Sequence, residues 1–207
     1  MQNEIASWLL KAGAVSLSPH KPFTWASGIQ SPIYCDSRFL LSHPQARNDV
    51  IKAFENLIRK KKIKFDAIAG IATAGIPHAA ILADHLKKPM LYVRSAPKGH
   101  GKGNQVEGSL KKGARVLVIE DLVSTGMSSL NAIKALKKSG ARVSYCLAIF
   151  SYGFSDAQIG FQVARCKLLT LTSLENLLEV ALRQKRITSK EEKNIRLFSL
   201  DPKNYFC

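Results

Sequence analysis

The sequence predicts an α/β domain in which a central, mostly parallel sheet is flanked by helices and carries a small N-terminal hood subdomain. Three observations predict it. The runs 66–71, 115–119 and 142–150 are apolar along most of their length, as strands covered on both faces are. They alternate with segments of helical periodicity, the pattern of crossover connections between parallel strands. Residues 15–41, by contrast, interleave β-forming residues with Ser, Pro and Gly, which suits short strands and turns.

In chain order, the apolar spacing of 4–12 predicts a short amphipathic helix that stops at Gly13. The loop-rich hood follows, up to residue 42. From Pro44 the expected elements are a helix over 44–60, a strand 66–71, a helix 76–86 and a strand 90–94. A strand 115–119, a helix 127–138 ending before Gly140 and a strand 142–150 complete the alternation. Beyond it come an aromatic turn at Tyr152 and Phe154, one or two helices across 173–198 and a short tail. No repeat or linker marks a second domain, so the chain divides into a hood (1–42), a core (43–155) and a C-terminal strand/helix extension (156–207) of one domain.

The 207 residues hold 31 Lys and Arg against 15 Asp and Glu, a formal charge of +16. Such an excess fits nucleic acid, an anionic membrane surface or small polyanionic ligands. Apolar runs fall far short of the ~20 residues that cross a bilayer, and Glu4 followed by a brief apolar stretch makes a poor secretory signal. A cytoplasmic chain without membrane contact is expected. Cys35, Cys146, Cys166 and Cys207 show no CxxC pair and no regular spacing, so neither a zinc site nor a disulfide framework is suggested.

A parallel sheet binds ligands beyond the carboxyl ends of its strands, which directs attention to the loops at 71–76, 94–113 and 120–128. The string VLVIEDLVSTGMSS at 116–129 brings two adjacent acids, Glu120 and Asp121, to a strand end and then opens a helix through a Ser/Thr/Gly turn. Backbone N–H groups there, with the hydroxyls of Ser124, Thr125, Ser128 and Ser129, suit a phosphate monoester, and the acids suit vicinal hydroxyls on the same ligand. A sugar phosphate satisfies both. A capped turn whose acids complement the helix dipole is the plainer reading of the same residues.

The loop RSAPKGHGKGNQVEG at 94–108 combines flexible glycines with Arg94, Lys98, His100 and Lys102. It reads either as a solvated basic loop or as a cationic lid for a diphosphate. Its Gly-x-Gly-x-Gly spacing, with no helix start behind it, argues against a dinucleotide fingerprint.

The 116–129 string resembles the ribose-phosphate motif of phosphoribosyltransferases that use 5-phosphoribosyl 1-diphosphate (PRPP). The 94–108 loop, FTWASGIQSPIYCD at 23–36 and GIATAGIP at 70–77 are similar to the catalytic loop, pyrimidine-side segment and diphosphate loop of the orotate phosphoribosyltransferase family. The resemblance spans about residues 20–155 and four motifs in order.

It implies the Mg²⁺-dependent reaction of orotate with PRPP to give orotidine 5′-monophosphate and diphosphate, in pyrimidine synthesis. It also implies a homodimer whose active sites share the 94–108 loop. Carried over by position, Lys98, His100 and Asp121 are the catalytic residues. PRPP falls to Thr73, Ala74 and Gly75, to Arg94, Lys98 and His100, and to the run Glu120, Asp121, Leu122, Val123, Ser124, Thr125, Gly126, Met127 and Ser128. Orotate falls to Ser124, Tyr34, Cys35 and Tyr152. No side chain is expected to ligate the metal directly; PRPP and water hold it, near Asp121. Some members carry Lys at the positions of Ala26, Ala74 and Ser95 and Arg near Tyr152, which leaves a different base as an alternative. A PRPP-sensing regulator that binds nucleic acid is a third, disfavoured by the intact lid. Trp8, Trp25, Phe23 and Phe39 read as core or interface anchors, and His20, His43, His78 and His85 as structural or surface groups.

Overall fold

The computed structural model describes residues 2–25, 28–96, 104–202 and 205. The first helix, α1 (Gln2–Lys11), buries Ile5, Ala6, Leu9 and Leu10, and Gly13 behind it takes a left-handed φ of +70°. The hood then runs through β1 (Val15–Leu17), β2 (Phe23–Thr24), β3 (Gln30–Ser31) and β4 (Ile33–Cys35) into a 3-10 helix, Ser37–Ser42. β1 pairs antiparallel with β4, and β2 with β3. The apolar residues of the hood, including Val15, Ile33, Cys35 and Leu40, belong to the same buried cluster as one face of the central sheet.

The alternation after Pro44 appears as α2 (Pro44–Lys60), β5 (Ala67–Ile71), α3 (Gly75–His85) and β6 (Met90–Val93). It continues through β7 (Val106–Glu107), β8 (Arg115–Val123), α4 (Met127–Lys138) and β9 (Arg142–Ser151), then α5 (Ser155–Val163), β10 (Lys167–Ser173), α6 (Leu174–Arg183) and α7 (Ser189–Leu200). α2 starts where the sequence places it because Pro44 occupies its first turn, where no N–H is needed. Its buried face is Ala46, Val50, Ile51, Ala53, Phe54 and Leu57, one stripe of a 3.6-residue period.

The central sheet runs β10-β9-β8-β5-β6-β7, parallel throughout except for the β6–β7 edge pair. Side chains along β8 divide by pleat: Leu117 and Ile119 enter the cluster shared with α1, α2, α3 and α6, whereas Val116 and Val118 enter the one shared with α4 and α5. Both faces are therefore covered.

Three expectations change. β8 does not stop at 119: Glu120, Leu122 and Val123 pair with Ala148, Phe150 and Ser151 of β9, whose length carries the ladder on and places both acids inside a strand. α5 and β10 fill 155–173, a stretch for which the sequence indicates a strand/helix extension without limits for either element. In α5 only Ala157 and Phe161 are buried, and β10 is an edge strand with one neighbour, so neither has a strong apolar period. β7 is a two-residue edge strand, too short for any periodicity to show.

Candidate active site

The chain passes from β5 to β6 on one side and then returns to β8 on the other, so the β5/β8 boundary is the point at which the order reverses. Ligands bind such sheets in the crevice beyond the carboxyl ends of the strands there. The 72–74 turn after β5, the segment after β6 and the 124–126 turn after β8 all leave from those carboxyl ends.

Two of these turns are pressed together. Gly75, which opens α3, lies so near β8 that a Cβ added to it would stand 2.6 Å from the carbonyl oxygen of Ile119. Only glycine permits that approach. Thr73, Ala74 and Gly75 are thereby brought beside Glu120 and Asp121. The Ala72–Thr73 peptide is cis. Neither α3, capped at Ala74, nor α4, capped at Gly126 with φ +79°, has a side chain accepting its first N–H groups. α2 and α5 lack one as well, whereas α6 and α7 have it, from Ser173 and Thr188. The two helix starts in the crevice thus keep donors and the positive ends of their dipoles for an anion.

The two acids differ sharply. Glu120 is 4% exposed and accepts from Ser129 Oγ at 3.1 Å and from the Asp121 N–H at 3.1 Å. Burial, with the Asp121 charge beside it, pushes its carboxyl well above the usual range. Ser129 is consequently turned inward to Glu120 and away from the phosphate turn, unlike the expectation from sequence. Asp121 is half-buried and accepts from Ser37 Oγ of the hood. Leu122, Ser124 and Thr125 are half-buried, Val123 is buried, and Met127 and Ser128 are exposed at the α4 start.

On the base side, Tyr34 is 41% exposed with the Phe23 ring at 5.7 Å. Cys35 and Tyr152 are placed differently from expectation. The Cys35 side chain points inward, and burial with Asp121 and Asp36 behind it raises its thiol pKa. Tyr152 is packed among Trp25, Phe150 and Phe154 at ring distances of 5.0, 5.1 and 5.3 Å. Both serve the apolar core that joins the hood to β9; of the three base-side side chains, Tyr34 reaches the surface. Phe39 is exposed, Trp8 donates to Asp49, and Trp25 donates to the Ile33 carbonyl.

Arg94 leaves β6 with its guanidinium 3.6 Å from Glu107, while its N–H donates to the Gln105 carbonyl and Gln105 Nε2 returns a bond to the Arg94 carbonyl. These bonds close the base of the basic loop like a hairpin. Lys98, His100 and Lys102 lie outside the described residues, as do Ala26 and Cys207.

Sequence reasoning passed over two residues. Ser37 carries no local signal, because its partner is 84 positions away. His78, read as an ordinary structural histidine, is 1% exposed with an Nδ1 that finds no partner. Burial lowers its pKa to about 4, against an opposing pull from Asp121.

An acid pair near the end of the β8 ladder, an uncapped helix start for a phosphate and a second anion turn packed against it suit a phosphorylated sugar bearing a further anionic group. The profile of the phosphoribosyl transferase domain matches residues 38–155, and the chain belongs to that family. Within it, the chain is 48% identical to an orotate phosphoribosyltransferase of Bacillus pumilus over 202 residues, 98% of this chain and 95% of that one. An orotate phosphoribosyltransferase from Aeropyrum pernix superposes with a TM-score of 0.76 at 32% identity, over 89% of this chain and 99% of that one. Leishmania donovani UMP synthase superposes at 0.81 and 30% identity over 96% of this chain, which spans 42% of that longer protein. These relatives put the chain in the orotate phosphoribosyltransferase branch. No helix among the described residues is long and apolar enough to cross a membrane.

Proposed function

We propose that the chain transfers the 5-phosphoribosyl group of PRPP to orotate, releasing diphosphate and forming orotidine 5′-monophosphate for pyrimidine nucleotide synthesis. The observation that carries the reading is the pairing of the two uncapped helix starts across the Gly75–Ile119 contact, with Asp121 between them and the hood. The α4 turn, from Ser124 to Ser128, holds the 5-phosphate. The α3 turn, at Thr73, Ala74 and Gly75, takes the diphosphate, and Ala74 contributes there through its backbone. Asp121 faces the ribose hydroxyls, and Tyr34 and Ser124 border the orotate.

In the reaction the bond from the anomeric carbon to diphosphate breaks, and a ring nitrogen of orotate bonds to that carbon as its N–H proton passes to the departing diphosphate or to solvent. The ribose ring gains positive charge in transit and the departing diphosphate gains negative charge. The Asp121 carboxylate offsets the first, and Arg94 with Lys98 and His100 of the loop offsets the second. No covalent nucleophile is needed. Closure of the loop excludes water that would hydrolyse the activated sugar.

The donor set suits magnesium carried in on the substrate. Asp121 offers one oxygen beyond the one bonded to Ser37, and Mg²⁺ is commonly held through one or two carboxylates plus phosphates and water. Bound there, the ion would neutralise charge on the leaving diphosphate. The loop is rooted on the β6–β7 edge pair, at the sheet margin, a position from which it can serve a second copy of the chain. A cytoplasmic homodimer with shared loops is the proposed assembly.

Purified protein mixed with Mg²⁺, PRPP and orotate is expected to deplete orotate absorbance and to release diphosphate in equal amount. Turnover of a different base, with orotate unchanged against a protein-free control, would overturn the assignment.

A further inference from the structure

We propose that Ser37 is a positioning residue for the transfer: its hydroxyl fixes one oxygen of Asp121 and so directs the other into the crevice, making the hood part of the sugar site. The inference rests on the reading that Asp121 faces the ribose. Three features support it.

Ser37 is only 1% exposed, yet its hydroxyl donates to Oδ2 of an acid that is itself half-open. A half-open carboxylate could be satisfied by water, so its solvation does not require this bond. What the bond adds is direction. The Asp121 carboxyl also meets that of Glu120, its neighbour in β8, and the Ser37 bond is the one that reaches it from the hood.

The serine is also held firmly. The side chain of Asp36 accepts from the Arg38 N–H at 3.1 Å and from the Arg38 guanidinium by two bonds of 2.6 Å, which locks the start of the 3-10 helix around Ser37. The Asp36 N–H donates to the Ala14 carbonyl at 2.7 Å, and Cys35 pairs with Val15, so β4 delivers Ser37 from a fixed ladder. A donor on so short a tether can hold a carboxylate to one orientation, as productive geometry requires.

Finally, Ser37 follows Tyr34 and Cys35 on the strand that borders the base side. The bond from Ser37 to Asp121 therefore joins the element expected to meet orotate with the acid expected to meet ribose. No other side-chain hydrogen bond among the described residues ties the hood to the 120–128 segment.

The test is a double-mutant cycle on the full chain, with kcat, both KM values and the melting temperature measured for Ser37→Ala, Asp121→Asn and the pair. Hydrogen bonds to charged groups are worth enough to predict a kcat loss of about 10- to 100-fold in Ser37→Ala, with KM for PRPP changed less than about threefold. The double variant is expected to match Asp121→Asn alone, since Ser37 acts through that acid. Ser37→Thr, which restores the hydroxyl, is expected to recover most of the turnover. If the added methyl prevents folding, Ser37→Cys replaces it and falls between Ser and Ala.

Wild-type kcat in Ser37→Ala alongside a disabled Asp121→Asn would overturn the role of Ser37 and leave that of Asp121 standing. Full activity in Asp121→Asn would overturn the underlying reading itself. Additive losses in the pair, or a kcat loss that only follows the melting temperature, would make Ser37 merely structural.

Discussion

Acid should destabilise this fold through one histidine in a pH range where most carboxylates are still ionised. His78 sits in the first turn of α3, 1% exposed, with Nδ1 unpartnered and a pKa lowered to about 4 from 6.5. Burial is the main cause; Arg47 adds to it and Asp121 opposes it. The unfolded chain takes up this proton near pH 6.5 and the folded chain only near 4. The stabilisation is therefore complete above 6.5, erodes as the pH falls, and levels off below about 4. Linkage with those two values gives a loss of about 2 kcal/mol between pH 7 and 5, and about 3 kcal/mol by pH 4. Urea denaturation of the wild type and of His78→Gln at pH 7, 6 and 5 isolates the effect, because every other titratable group is common to both proteins. The wild type should lose about 2 kcal/mol more than the variant over that range. Parallel pH dependences, within about 0.5 kcal/mol, would refute the claim that the imidazole is held neutral by burial.

Gly75→Ala drives a Cβ against the Ile119 carbonyl and should cost about 1–3 kcal/mol in stability while raising KM for PRPP, as the two anion turns separate; unchanged kinetics would show that they work independently. Glu120→Gln should unfold within about 1 kcal/mol of the wild type, because burial favours the protonated acid and Ser129 can turn to accept from an amide. Glu120→Ala should lose about 2 kcal/mol or more by leaving the Asp121 N–H and Ser129 unmatched. For Lys98→Ala we expect turnover to fall by about 10²- to 10³-fold with the melting temperature unmoved, since the role proposed for it is charge stabilisation at the leaving group; equal losses in both would count against a catalytic lysine.

The elements legible in the sequence are those bounded by strong local chemistry. Pro44 sets the start of α2 and Gly140 follows the end of α4, and both helices match their expected limits. What escaped depends on partners far along the chain. β8 looked finished at its acids, yet β9 extends the ladder through Val123. β10 is strand because β9 lies beside it, although only Leu171 and Thr172 of its own residues are fully buried. The same distinction divides the site. Glu120, Asp121 and the glycine turns stand out in one contiguous string. That Glu120 is buried under Ser129, that Tyr152 packs into an aromatic core, and that Ser37 reaches Asp121 are tertiary facts without local trace.

The charge pattern follows from the same geometry. Away from the crevice, acids meet cations: Asp66 with Arg115, Asp84 with Lys87, and Glu175 and Glu192 with Arg196. Glu120 and Asp121 have no Lys or Arg at ion-pair distance among the described residues; they meet two serine hydroxyls, a backbone N–H and each other's carboxyls. In a chain with 31 Lys and Arg to 15 Asp and Glu, a cation-free acid pair calls for a physical reason. A cation there would cancel the charge that the ribose ring needs opposite it and would repel the ring as it becomes positive. Hydroxyls orient a carboxylate without neutralising it. Two adjacent carboxylates would still repel each other, and burial answers that by favouring the protonated form of Glu120. On the proposed assignment of Arg94, Lys98 and His100 to the diphosphate, the crevice would be negative toward the ring and positive toward the leaving group. That polarity matches the charge separation created as the bond to diphosphate breaks, and a fixed field of that sign requires no reorganisation when it does.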